Sequence, residues 1–562
     1  MKIGLIGINM YPKYLNFACG LHTYAFQQFL LQNGIKTTII DYKPVYFSGF
    51  DMRHPSDYYK KRYTAVKNKT ATTLEQKAEK AELLNELQEK IEAWEPLYAE
   101  REIRYDKFKH FIDENYIKTD EKYDSDLLEI QDPGFDCYIC VTDVIWNLLP
   151  VHTYDRGFFL ASKSMDGKQK ISYAASRGVP KPYTDSEKSL FFQYINDIDS
   201  ISVREKSLQE FIETNSNKKA ELVLDPVLLH DKVFWQQISV KPKEEKYILL
   251  YYVMEQAADT IRRAVEYAKK HNLLIVELSD RPVKHGRVND TTVRHIARYD
   301  VGLEEWLGYI EYAECIFTNS FHGCCYSILF EKLFYVGNRN GDKVTNCLEL
   351  FGLQDLRMPK KGLPFDSMPK QIDYIPVRAR LEEMRKSSQQ FILNAIQEAE
   401  MRLKQGTKRA VDYEQYRRQI CYPLNYHSGK AGVSHKDIPA DYEVNILSNG
   451  INELSSANRL YKNNGSEHFE NNPFSLNEHK FVGWNIRIKI DTRWFWYMND
   501  NSLQPVNKYH SNNKSLTFAQ KVLNKIFRRT YKKKRKLFKN EAPIPYIPVG
   551  RIRLMIAEAV WK

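Results

Sequence analysis

Strand–helix alternation constrains this chain most. It runs through one long cycle, breaks at a charged stretch, and then starts again. Within residues 1–42, "KIGLIGI" is short and apolar, "LHTYAFQQFLLQNG" has helical spacing and stops at Asn-Gly, and "KTTIIDY" is β-branched. Strand, helix and strand in that order form a βαβ unit, the start of a doubly wound sheet. The alternation resumes in "DCYICVTDVIWN", "KISYAASRG", "SISVREKSLQEFI" and "AELVLDPVLL". The charged "KPKEEK" near residue 240 then precedes a second cycle: "YILLYYV", "AADTIRRAVEYAKKH", "LLIVEL", "LEEWLGYIEYA", "ECIFTNS", "HGCCYSILFEK" and "LFYVG". A long amphipathic segment closes it near 405. The expectation is α/β: two Rossmann-like domains, 1–240 and 241–405, with a cleft between them.

Two regions lie outside that pattern. Residues 64–116 are rich in Lys, Glu, Leu and Ala ("LEQKAEKAELLNELQEKIEAW") and read as a solvated helical pair inserted in the first sheet. After 405 the texture turns to Asn, Ser, Tyr and charge, an accessory region over 406–562. Within it "GWNIRIKIDTRWFWYM" alternates at period two across Asp-Thr, the pattern of a β-hairpin. The formal net charge of +12 is concentrated there, because nine basic residues lie between Lys525 and Lys539. In 521–539, Val522, Leu523, Ile526 and Phe527 share a helical face and cations occupy much of the rest. That composition suits a segment lying on an anionic membrane surface, where each basic residue contributes about 1 kcal/mol. The nearby aromatics form no stacking motif, so no nucleic-acid partner is expected.

No window approaches the ~18–20 consecutive apolar residues of a membrane span. The opening "MKIGLIGINMY" reads as a strand rather than a signal peptide, which points to the cytoplasm. The eight cysteines fall mostly in apolar runs, as reduced buried thiols do. Cys137-x-x-Cys140 alternates through a strand, and no second pair completes a zinc site. No metal is expected.

The segment 316–329, "IFTNSFHGCCYSIL", places Ser320, His322 and Gly323 beyond the carboxyl end of a strand. Ligands bind there in open α/β sheets, since helix N–H groups face the crevice. Ser320 and the amides after it can hold an anion, and His322 can exchange a proton with it. The same residues read equally well as a helix cap and a hydrogen-bonded buried imidazole.

The wider run "EEWLGYIEYAECIFTNSFHGCCYSILFEKLFYVG" closely resembles the carboxyl-terminal signature of the polysaccharide pyruvyl transferase family. "NFACGLHTYAFQQFLLQNGIKTTIIDY", "VTDVIWN", "ISYAASRG", "ISVREKS" and "VLDPVLL" are similar to further family segments in the same order, so the resemblance spans about 1–405. It implies a GT-B-like arrangement of the two domains. The implied reaction moves pyruvate from phosphoenolpyruvate, a co-substrate rather than a cofactor, to a sugar of a surface-polysaccharide precursor, with the lipid-linked form favoured. The product is a ketal, and phosphate leaves. Arg204 matches the family arginine that binds the donor; its alternative is a salt bridge to Glu205 or Asp225. His322 matches the donor-site histidine, as the acid for the methylene carbon or the group that stabilises departing phosphate. Ser320 stands where many relatives carry arginine, and Lys343 can supply positive charge instead. Asn16, Gly20, His22, Asp143 and Asn147 are expected in loops of the acceptor face, with Asp143 as base. Trp146 either stacks on a sugar ring or packs in the core, and Tyr11 and Tyr14 are weaker candidates. The competing readings are a sugar-nucleotide glycosyltransferase and a non-catalytic scaffold of polysaccharide assembly.

Overall fold

The apolar runs become strands at the centre of two parallel sheets. β1 (Ile3–Gly7), β2 (Thr37–Tyr42), β3 (Lys118–Tyr123), β4 (Cys137–Asp143), β5 (Gln169–Ala175), β6 (Ser200–Val203) and β7 (Glu221–Leu222) form the first. Its order is β3-β2-β1-β4-β5-β6-β7, and every pair is parallel. β8 (Tyr247–Tyr252), β9 (Leu274–Ser279), β10 (His295–Ala297), β11 (Cys315–Thr318) and β12 (Phe334–Val336) form the second, in the order β10-β9-β8-β11-β12. It too is wholly parallel. The strand order reverses between β1 and β4 and between β8 and β11, so each sheet opens a crevice at its carboxyl edge. β8 is buried throughout, as a strand covered on both faces should be.

The computed structural model describes residues 1–406 apart from 9–14, 45–50, 125–126, 150–153, 181, 254–257, 280–287, 289, 338–340 and 359–366; beyond 406 it describes six strands. Those are β13 (Asp441–Leu447), β14 (Ser456–Lys462), β15 (Phe481–Ile490), β16 (Arg493–Tyr497), β17 (Leu503–Pro505) and β18 (Ile552–Trp561), in one sheet. β15 and β16 pair antiparallel with Ile490 opposite Arg493, on the segment whose alternation predicts a hairpin. Tyr11, Tyr14 and the basic tail 521–539 lie outside the described residues. No helix among the described residues is long and apolar enough to cross a membrane.

One helix, Phe17–Gln32, joins the two domains. Thirteen of its 16 residues are buried, because it packs on the first sheet and on the second domain together. Phe17 stacks on Trp306 with ring centroids 5.3 Å apart. At Gly20 a β-carbon would lie 2.5 Å from Leu303 Cδ1, so only glycine admits this approach to the helix Leu303–Glu311.

The insertion between β2 and β3 is three helices, Ser56–Lys67, Leu74–Trp94 and Tyr98–Asn115, rather than a solvated pair. The third is a strut. Arg101 and Arg104 on it are fully buried, with their guanidinium groups over Trp94 and Phe17. Arg104 donates to Arg298 O at 3.1 Å, and Lys107 pairs with Glu305 at 2.7 Å, both in the second domain. The closing helix, Tyr374–Lys404, returns to the first domain, where Ser388 Oγ accepts from Leu224 N at 2.9 Å.

The interdomain connection is seated against the second domain by Val240, whose N–H donates to Glu304 O at 3.0 Å. A β-carbon at Gly308 would meet Val240 O at 1.8 Å. Gly308→Ala must therefore push the connection off the helix, at an overpacking cost of about 1–3 kcal/mol. The urea midpoint should fall accordingly, and an unchanged midpoint would show that the connection is not held there.

Candidate active site

The carboxyl edges of the two sheets face each other, and charged side chains from both converge. Arg204 follows β6 directly. Its Nη1 donates to Asp225 Oδ2 at 2.7 Å, its Nη2 to Asp143 Oδ1 at 3.1 Å, and its Nε to Glu205 Oε1 at 3.1 Å. Asp143 ends β4, and Asp225 follows β7, where it also accepts from Val227 N at 3.2 Å to cap the next turn. The second domain contributes His322, whose Nε2 lies 3.5 Å from Asp225 Oδ2, and Lys343, whose Nζ lies 3.4 Å from Asp143 Oδ1. Phe321 lays its ring 4.2 Å from the Arg204 guanidinium. From the helix after β1, the His22 imidazole stacks on that of His322 at 6.0 Å. An interdomain cavity of about 290 Å³ opens beside this cluster, walled by Arg204, Asp225, Phe321, Lys343 and Phe351 and flanked by the exposed Lys206 and Arg380.

The electrostatics follow from burial set against pairing. Burial opposes ionisation of Asp143, but Lys343 and Arg204 outweigh it and hold the carboxyl well below the usual carboxylate range. Asp225 behaves alike: burial opposes its charge, and His322 and Arg204 together win. Glu205 is pushed upward, since burial exceeds the help it receives from Arg204 and Lys343. Burial draws the His22 imidazole down to about 4, against the pull of Asp225 and Asp143.

His322, Arg204, Asp143, Lys343 and His22 are thus brought together. Ser320 and Gly323 adjoin them as scaffold. Ser320 Oγ accepts from Gly323 N at 3.2 Å, so the helix-cap reading of this loop is realised. A β-carbon at Gly323 would lie 2.6 Å from Thr318 Oγ1.

Several expectations are corrected. Trp146 is core: it is fully buried, donates Nε1–H to Phe158 O and stacks on Phe159, leaving no face for a sugar. Gly20 and His22 lie inside a helix rather than in a loop, and Gly20 serves interdomain packing. Asn16 caps that helix, accepting from Ala18 N at 3.0 Å and Cys19 N at 3.3 Å. Asn147 closes the short turn after β4, donating to Val144 O at 3.3 Å. Asp143 is an anchor for two cations, and a carboxylate so stabilised is a weak base. The salt-bridge alternative for Arg204 is realised, with Glu205 and Asp225 both; what sequence reasoning overlooked is the contact of Asp225 with His322. The signal for Asp225 was its place before the proline in "VLDPVLL", three residues beyond the end of β7 and at the cap of the next turn.

The burial of this network makes a prediction about stability. Arg204→Ala takes a shared cation from three buried carboxylates, leaving Asp143 with Lys343 and Asp225 with His322, and breaking a buried pair by removing one partner costs about 3–5 kcal/mol. Equilibrium unfolding should show that loss, with partial recovery in Arg204→Lys. Native-like stability in the alanine variant would mean that the carboxylates are not ionised together.

Comparison with known families matches residues 19–336, more than half of the chain, to "Polysaccharide pyruvyl transferase". No curated protein matches the sequence. Among solved structures the chain is similar to UDP-N-acetylglucosamine 2-epimerase from Rickettsia bellii, with 9% identity and a TM-score of 0.35, over 70% of this chain and 96% of that one. It is also similar to UDP-GlcNAc 2-epimerase from Methanocaldococcus jannaschii, with 10% identity and a TM-score of 0.32, over 69% and 92%. The heptosyltransferase WaaC of E. coli is similar at 10% identity and a TM-score of 0.28, over 68% and 99%. The family match takes in Cys19, His22, Asp143, Arg204, Asp225 and His322, and the chain belongs to the polysaccharide pyruvyl transferase family.

Proposed function

We propose that this transferase moves pyruvate from phosphoenolpyruvate to a sugar of a surface-polysaccharide precursor. The reading rests on one observation: Arg204 and Lys343 reach a single interdomain cavity from opposite domains, with His322 beside them. Phosphoenolpyruvate carries a carboxylate and a phosphate on a small carbon frame, and such a ligand needs fixed cations on two sides. Phe321 and Phe351 supply an apolar wall for that frame.

The chemistry assigned to the residues is as follows. His322 gives a proton to the methylene carbon as a sugar hydroxyl adds to the enol carbon and passes its own proton to solvent. The C–O bond to phosphate then breaks, with Lys343 and Arg204 facing the charge that departs. A second hydroxyl of the same sugar closes the ketal, and its proton leaves with phosphate or solvent. The acceptor approaches from the Asp143 side, is carried on a lipid, and lies at the cytoplasmic membrane face. The basic segment 521–539 brings the protein to that anionic surface, where several engaged cations at about 1 kcal/mol each suffice for reversible recruitment.

His322→Ala should slow phosphate release from phosphoenolpyruvate in the presence of acceptor by about 10²–10⁴-fold, with the unfolding midpoint measured alongside to separate the loss of a partner for Asp225 from the loss of the acid. Mass spectrometry of lipid-linked sugars should show the gain of one pyruvate less one water. Near-native turnover in the variant would remove the assignment. Nucleotide release from a sugar nucleotide, with no phosphate from phosphoenolpyruvate, would turn the reading to glycosyl transfer. Vesicle co-sedimentation should need anionic lipid, weaken in high salt and disappear on deletion of 521–539.

A further inference from the structure

The mechanism above leaves a thiol and an imidazole unused at the first domain's side of the cleft. Cys19 and His22 stand three residues apart on the helix Phe17–Gln32, where that spacing puts them on one face. Asp143 meets them from the end of β4. One ligand atom from each lies within 4.8 Å of the other two. His22 Nδ1 contacts Thr23 Oγ1 at 3.1 Å, which leaves Nε2, and that atom is buried with no partner. The residue as a whole has 0% exposure. Leaving such an atom unsatisfied costs about 1–3 kcal/mol, so a buried ring nitrogen normally has something to bind. The backbone at the end of β4 is strained. Thr142 and Asp143 hold φ at 40° and 61°, two successive non-glycine residues in the left-handed region. Strain of this kind costs about 1–3 kcal/mol per residue and gathers at ligand sites.

We infer that Cys19, His22 and Asp143 form a site for one divalent cation of zinc-like softness, with a fourth position open to the cleft. Thiolate, imidazole and carboxylate are all zinc ligands, and three protein ligands with one free position is the pattern of a reactive rather than a structural site. No ligand spacing along the chain marks the site, because the third ligand comes from a distant strand. Arg204 and Lys343 do not block the site. Both approach Oδ1 of Asp143 and leave Oδ2 for the ion, as outer-shell donors orient a ligating carboxylate.

With a dication bound, an oxygen of an anionic or hydroxylic substrate has a vacant coordination position to enter.

The test uses the full chain, stripped with a chelator and titrated with Co²⁺ as a spectroscopic probe for Zn²⁺. The expected result is one equivalent bound, with tetrahedral visible bands and a thiolate-to-cobalt charge-transfer band that Zn²⁺ abolishes by displacement. Cys19→Ser should lose the charge-transfer band, His22→Gln should weaken binding at least tenfold, and Cys137→Ser should change neither. Absence of the band in the parent chain, or its persistence in Cys19→Ser, overturns the site. Metal-free unfolding midpoints for parent and Cys19→Ser separate lost ligation from lost folding. Because the readout is metal binding and not turnover, its failure leaves the pyruvyl transfer reading standing, and the reverse also holds.

Discussion

The three-way ion pairing of Arg204 is the interaction on which the site depends. Each carboxylate it holds belongs to the exit of a different strand: Asp143 after β4, Glu205 after β6 and Asp225 after β7. A buried ion costs several kcal/mol to desolvate, and a pair at contact distance returns about 4 kcal/mol at an effective dielectric near 20. Those terms nearly cancel, so the network adds little net stability. It contributes geometry. The guanidinium offers its donors in a fixed planar fork, and the three loop ends must fit it. Removing the hub is costly even though forming it gains little, since the carboxylates have no other neutralising partner in such number.

The network alone does not set the distance between the domains. Apolar packing does. Buried residues from β1, β4 and β5 join those from β8, β11 and the helix Leu303–Glu311 in one continuous core, with Phe17, Tyr251 and Trp306 at the seam. The strut helix Tyr98–Asn115 spans the same seam from outside through Arg104 and Lys107. His322 and Lys343 therefore meet their carboxylates across a joint that side-chain packing already holds. That is the condition for preorganised charge to act on a substrate without reorganisation cost.

Much of this was legible in the chain. The period-two and apolar runs located β1, β4, β8 and β11, and a strand ending in "TNSFHG" located the carboxyl edge where His322 stands. Local signals failed where the deciding partner is remote. Asp143 reads as a base from its loop, yet its two cations lie 61 and 200 residues away in sequence. Trp146 after a strand looks the same whether it faces a sugar or, as here, Phe159 and Phe191. Arg101 and Arg104 sit in a segment whose composition says solvent, yet they are buried against Trp94 and Phe17 and donate to the carbonyls of Met52 and Arg298. Periodicity reports which face is apolar; it does not report a guanidinium laid flat on a ring.

The two cations of the site differ in kind, and the difference bears on how charge is handled there. Arg204 is fixed by three partners and by the Phe321 ring, and its side chain is 2% exposed. Lys343 opens the helix Lys343–Leu350, is 18% exposed, and touches Asp143 at 3.4 Å, a loose contact. An ammonium on a four-carbon stem is a mobile point charge, whereas a buried guanidinium is not. Ser320 is 4% exposed and engaged with Gly323 N, so a guanidinium has no room there. Of the two cations, Lys343 is thus the one with freedom to adjust its position. Arg204 holds the frame into which Lys343 reaches.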